Sequence, residues 1–440
     1  MLKKISGNTP PAWLRIGDAQ FPEPFPASLE YSPPARGTWN IVHTGMLVPQ
    51  SHQIYICAIG CIRGVILTAA EMGAMDRFST VIIEEKNILK GDIEALMLDG
   101  IADILQRLPE LPPAVLVFTS CIHHFLGCNM PFVYRKLRER FPQTAFAECT
   151  MDPIRRKSGL TAEQSCRKSI YDLLQPALQE KHAVNLLGND LPTLENSELL
   201  QLLKQNGWTI RDLTLCQNYA DFQAMARASL NLYYNPDARF AAKALTQRLG
   251  QPALYLPLSY DFAEIAATLQ KLAAQLQIPT PDYTSAIQKT EAALRALREE
   301  IGSIPLALDY SVTFRPFSLA RLLVRYGFCL ERIYADVIAA DDRADFLWLQ
   351  NHAPEIRLYP TKQPWMRRLK RSTDRRFLAI GQKAAYFTGS DYFVNLVETG
   401  GLYGFAGIQR FVELLQEAFH TPKDCRKLIQ QKGWGGTCCL

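Results

Sequence analysis

Two short stretches of this sequence each carry a pair of thiols. The first reads Ile54-Tyr55-Ile56-Cys57-Ala58-Ile59-Gly60-Cys61-Ile62-Arg63-Gly64. The second reads Val117-Phe118-Thr119-Ser120-Cys121-Ile122-His123-His124-Phe125-Leu126-Gly127-Cys128. Thiolates are soft ligands, and in a reducing compartment four of them suggest a metal or an iron–sulfur cluster more than disulfides. The spacings, C-x3-C and C-x6-C, match neither a zinc ribbon nor a ferredoxin run. The competing reading is that some are small buried hydrophobes. His123 and His124 could ligate iron, protonate a substrate, line a pocket or simply pack within their loop.

Each pair follows an apolar, β-branched run that reads as a buried parallel strand. In open α/β sheets, chemistry gathers beyond the carboxyl ends of such strands, so the two loops could meet. The surrounding pattern alternates strands with helices closed by glycine, which predicts parallel sheets. Residues 37–180 form a first α/β unit with strands at 39–43, 53–57, 80–84 and 114–119. A second unit spans 181–300, and a third spans 301–425, with strand pieces expected at 377–381 and 384–387. Residues 1–36 are proline-rich and read as an extended arm anchored by Trp13, Phe21 and Phe25. Residues 426–440 read as a glycine and cysteine tail ending in Cys438-Cys439-Leu440.

The chain has 440 residues, 48% of them hydrophobic, enough for about three domains with real cores. A net charge of +5 gives no reason to expect nucleic acid. No apolar run reaches the ~18 residues that span a bilayer. Ser6, Gly7, Asn8 and prolines follow the N-terminal lysines in place of a signal peptide's apolar core, which predicts a cytoplasmic protein. Cys149, Cys166, Cys216, Cys329 and Cys425 read as core thiols. The basic run around Trp365–Arg376 reads as a solvated face, with an anionic pocket as the sharper alternative.

Gly60-Cys61-Ile62-Arg63-Gly64, Glu85-Lys86-Asn87-Ile88-Leu89-Lys90-Gly91-Asp92, Ser120-Cys121-Ile122 with Gly127, and Gly401-Leu402-Tyr403-Gly404 occur in a telling order. Together they resemble the nitrogenase component 1 superfamily over about residues 37–420. The resemblance implies three consecutive Rossmann-like parallel-sheet domains. It also implies an iron–sulfur cluster at the interface of two subunits, in a homodimer or a heterodimer with a similar chain. Electrons would come from an ATP-dependent iron–sulfur reductase and pass to a small molecule. Cys61 and Cys121 match family ligands. The family's upstream cysteine has no counterpart in Ala35-Arg36-Gly37-Thr38, so Cys57 and Cys128 are the candidates to complete a rearranged cluster, [4Fe–4S] in type. The positions that hold nitrogenase's own cofactor fall at Asn235 and near Asp391. The resemblance therefore implies neither an iron–molybdenum cofactor nor dinitrogen reduction. A non-catalytic scaffold for metallocluster assembly is the alternative.

Overall fold

The expected strands assemble into three sheets in the computed structural model, which describes residues 12–35, 37–154, 159–369 and 375–430. Arg36, Lys370, Arg371 and the tail cysteines Cys438 and Cys439 lie outside the described residues.

Strand β1 (Leu14–Arg15) belongs to the arm. Strands β2 (His52–Cys57), β3 (Phe78–Ile82), β4 (Ala114–Thr119) and β5 (Ala145–Thr150) form the first sheet, in the order β3-β2-β4-β5 and all parallel. Both β2 and β4 are buried along their whole length, which is why their sequences run apolar without alternation. Tyr55 stacks on Phe118 with ring centroids 4.3 Å apart and on Phe78 at 5.0 Å, tying three adjacent strands, β3, β2 and β4, together on one face.

Strands β6 (Glu180–Leu186), β7 (Thr209–Asp212), β8 (Ala228–Tyr233) and β9 (Ala253–Tyr255) form the second sheet, in the order β7-β6-β8-β9. Strands β10 (Leu306–Asp309), β11 (Leu330–Tyr334), β12 (Arg357–Tyr359), β13 (Leu378–Ile380) and β14 (Phe393–Val394) form the third with β1, in the order β1-β12-β11-β10-β13-β14. Only β1 runs antiparallel. The arm thus finishes the sheet made by the far end of the chain. Ile16 N–H donates to Ile356 O at 2.8 Å, and Arg357 lies over the Trp13 ring at 4.8 Å.

The first unit is covered by α1 (Ile41–Met46), α2 (Ile59–Glu71), α3 (Glu85–Lys90), α4 (Ile93–Arg107), α5 (Cys121–Phe125), α6 (Met130–Arg140) and α7 (Ala162–Tyr171). Helix α1 replaces the strand expected at 39–43. The Asn40 side chain accepts from the Val42 and His43 amides and so starts a helix. All six of its residues are buried, so no polar face marks a helical period. The piece expected as strand at 384–387 is likewise a helix, Gln382–Thr388, buried at every position. Ala384 N–H in its first turn donates to Asp309 Oδ2 at 2.8 Å.

Each sheet has one place where its strand order reverses: β2/β4, β6/β8 and β10/β13. Helices that depart to opposite faces leave a crevice there, at the carboxyl ends of the strands. The first crevice receives the four cysteines. The second receives Gly188-Asn189-Asp190 and Asn235-Pro236-Asp237. The third receives Tyr310-Ser311 and Gly381-Gln382-Lys383.

Candidate functional site

The four cysteines reach the first crevice in different ways. Cys57 ends β2 and is wholly buried. Burial, with Cys61 beside it, pushes the Cys57 thiol up to about 11. Cys61 sits in the first turn of α2, exposed, with its N–H on Ala58 O at 2.9 Å. Cys121 is the first residue of α5 and is half-buried. Cys128, also half-buried, lies just past α5, and its thiol is raised by burial and by Glu94. Ile56 pairs with Thr119 across β2 and β4, so the two cysteine loops leave the same edge of the sheet side by side. Among the described residues, no group of three or more His, Cys, Asp or Glu side chains is arranged to hold a metal ion.

Large apolar side chains stand exposed in the segments that follow these strands. Ile59 is 75% exposed, Phe125 69% and Leu89 80%, and they follow the neighbouring strands β2, β4 and β3. Three large exposed hydrophobics at one sheet edge are the kind of surface that docks another protein. The stretch from Glu84 to Asp92 builds its part of this edge. Glu84 N–H donates to Asn87 Oδ1 at 3.1 Å, Asn87 Nδ2 donates to Asp92 Oδ1 at 3.1 Å, and Gly91 closes α3 at φ 66°. That wiring leaves Ile88 and Leu89 facing outward.

His123 and His124 separate clearly. His123 is buried and its Nδ1 accepts the Ser120 N–H at 3.2 Å. His124 is exposed, with Nδ1 3.4 Å from buried Asp152 Oδ2. Arg63 is exposed on α2. The basic run divides too. Arg375 pairs with Glu331 at 2.7 Å and Arg376 lies over the Tyr392 ring at 3.7 Å, whereas Arg367 and Arg368 are exposed. Cys149, Cys166 and Cys425 are buried, while Cys216 and Cys329 are half-buried.

A cavity of about 660 Å³ opens between the first and third sheets, beneath the arm. Cys61, His43, Tyr31, Tyr310, Thr361 and Lys383 are among its lining residues. Its walls therefore come from the crevice of the first sheet and the crevice of the third. This size suits a small organic molecule.

Beside it lies a charged cluster that local spacing does not reveal, because its members come from three units. Arg167 on α7 grips Asp190 at 2.5 Å, with both side chains buried, and Thr44 Oγ1 donates to Asp190 Oδ1 at 2.9 Å. Gln164 Nε2 donates to Asp237 Oδ1 at 2.9 Å. Glu398 enters from a loop in which it and Thr399 hold φ of 45° and 71°, strained values for non-glycine residues. Burial pushes the Glu398 carboxyl up to about 8, helped by Asp190 and Asp237 and opposed by Arg167 and the Trp39 N–H. A folded-state value above the unfolded one means stability is full below the ordinary carboxylate range and is lost as pH rises through about 8. Glu398→Gln is expected to remove this slope. Denaturant melts should show the variant more stable than wild type at alkaline pH, with the difference shrinking to nothing as pH falls to the ordinary carboxylate range. Parallel pH profiles for the two proteins would refute the assignment.

Asn235 and Asp391 serve local structure. Asn235 Nδ2 donates to Gly188 O at 2.6 Å and its Oδ1 accepts Asp237 N–H at 3.0 Å, joining the two loops of the second crevice. Asp391 accepts from the Lys423 N–H at 2.7 Å and from the Cys425 N–H at 3.2 Å.

No helix among the described residues is long and apolar enough to cross a membrane. A search of the curated proteins gave no match. Two solved structures show the same fold. Nitrogenase Cp1 at pH 6.5 aligns with TM-score 0.66 and 12% identity, over 90% of this chain and 94% of that one. Nitrogenase Cp1 at pH 5 aligns with TM-score 0.59 and 13% identity, over 91% and 92%. The family model described as nitrogenase component 1 type oxidoreductase matches residues 44–363. The crevice-borne cysteines, the three sheets and this match agree: the chain belongs to the nitrogenase component 1 type oxidoreductases.

Proposed function

We propose that this chain is the catalytic component of a nitrogenase-like, two-component reductase of the cytoplasm. Its partner is an ATP-dependent iron–sulfur reductase. Electrons enter through an iron–sulfur cluster of the [4Fe–4S] type and reduce a small molecule in the cavity that Cys61 lines.

The observation that carries the reading is Cys61 itself. Its thiol stands at the crevice of the first sheet and also lines the 660 Å³ cavity. A scaffold that only carries a cluster has no need of such a cavity, so this feature favours the enzyme over the assembly role. The residues fit a cluster shared between two chains. Cys61 and Cys121 are accessible thiols in the loops that follow adjacent strands, the described residues gather no complete ligand set, and the exposed Ile59, Leu89 and Phe125 suit coverage by a second subunit. Cys128 and Cys57 are the further candidate ligands, and the buried, raised Cys57 thiol must give up its proton to serve. A bound cluster would supply one-electron storage and transfer. The chain supplies thiolate ligands, a dry strand-end setting for Cys57, and a substrate space adjoining Cys61. A dimer, with itself or with a similar chain, completes the site.

The test is anaerobic purification followed by iron and acid-labile sulfide analysis, with an EPR spectrum of the dithionite-reduced protein. About two to four irons per chain, with matching sulfide, is the expected result. Turnover with an ATP-dependent reductase then separates the enzyme from the scaffold, since a scaffold transfers its cluster without turnover. Protein free of iron and sulfide would rule out the cluster.

A further inference from the structure

We propose that His123 is the positioning residue of the second cysteine pair, its ring and its carbonyl together holding the backbone on which Cys121 and Cys128 stand. The proposal rests on the cluster reading above.

The Ser120 N–H donates to His123 Nδ1 at 3.2 Å, and the His123 N–H donates back to Ser120 O at 3.2 Å. Cys121 sits inside that closed turn. The Cys128 N–H donates to His123 O at 3.0 Å, so the same residue also anchors the second thiol. Ser120 and His123 are 3% and 4% exposed, so water does not compete for these bonds. The exposed Cys61 has no part in the arrangement.

Nδ1 also lies 3.3 Å from Ser120 O and 3.4 Å from Ser120 Oγ, so either tautomer keeps the ring bonded to Ser120. Nε2 is buried and has no hydrogen-bond partner among the described residues.

The device recurs in the first unit. Asn40 N–H donates to His43 Nδ1 at 3.3 Å at the start of α1, and Glu84 N–H donates to Asn87 Oδ1 at 3.1 Å at the start of α3. Asparagine therefore does the same work as histidine three residues after a helix cap. This supplies a conservative variant for the test.

The experiment compares wild type, His123→Leu and His123→Asn in the full chain. Amide hydrogen exchange over residues 119–130 is read first, without iron. Leucine fills the space but its side chain accepts nothing, so exchange at Ser120 is expected to quicken about fivefold, as for loss of one cap, with Cys128 following in the same direction as the turn that carries its carbonyl acceptor loosens. Asparagine restores it. Iron retention through anaerobic desalting and the midpoint potential are read next, and both are expected to change in His123→Leu and return in His123→Asn. Unchanged exchange, or faster exchange with iron and potential as in wild type, overturns the proposal. A wild type without iron overturns the cluster reading, while unchanged exchange overturns the support by His123, so the two failures are distinguished.

Discussion

Cys61→Ala and Cys121→Ala are each expected to reduce bound iron from about two to four atoms per chain to less than about a tenth of that. The reason is ligand chemistry. Alanine offers iron nothing, and among the described residues no group of three or more His, Cys, Asp or Glu side chains is arranged to hold a metal ion in its place. Cys61 is exposed, so its loss should cost under about 0.5 kcal/mol of stability. Iron loss without a change in Tm therefore marks a ligand and excludes unfolding. Cys57→Ala and Cys128→Ala divide the remaining ligands from packing. Cys57 is wholly buried, so its replacement lowers Tm whether or not iron leaves. Anaerobic iron and sulfide assays with thermal melts on all four variants check this. Iron retained in both Cys61→Ala and Cys121→Ala would sink the cluster assignment and leave a fold relative without electron transfer.

Gly401→Ala is expected to destabilise the chain by roughly 3–5 kcal/mol, among the larger effects a single residue can have. Gly401 holds φ of 78°, and a Cβ there would meet the Pro192 carbonyl oxygen at 2.0 Å and its carbon at 2.9 Å. The clash is with backbone, which cannot rotate away. Leu194 N–H also donates to Gly401 O at 2.9 Å, so the glycine is strapped to the second unit while it opens the last long helix of the third. Five residues on, the Ala406 N–H donates to the Glu198 carboxylate at 3.0 Å. Gly207→Ala is the control. Gly207 holds φ of 73° with nothing within 4 Å of its would-be Cβ, so that variant carries the conformational cost alone, about 1 kcal/mol. Urea melts of the two variants compare them directly. A Gly401→Ala loss no larger than that of Gly207→Ala would show that the strap yields.

Several features were legible because local chemistry specifies them. The runs at 54–57 and 114–119 form strands because β-branched and aromatic residues without polar alternation suit a strand covered on both faces. The cysteines fall at strand ends because each run simply stops there. Glu85 to Asp92 was visible as a motif, although its work is to cap a short helix and present Ile88 and Leu89. Helices α1 and Gln382–Thr388 were not legible. Both are buried on every side, and a helical period shows only where one face meets water.

The sequence by itself therefore determined the three runs of alternating strand and helix, the glycine turns, and the four thiols at the ends of β2 and β4. These follow from neighbours within a few residues. Only the tertiary structure decided the rest. It carried the arm to β12, brought Arg167, Asp190, Asp237 and Glu398 into one largely buried cluster, and gave Cys61 a shared wall with Tyr310 and Lys383. It also turned His123 inward as a support and His124 outward toward Asp152. Apart from the local turn at His123, these groupings join residues from tens to hundreds of positions apart. Long-range burial and sheet order select them, and no spacing along the chain records that selection.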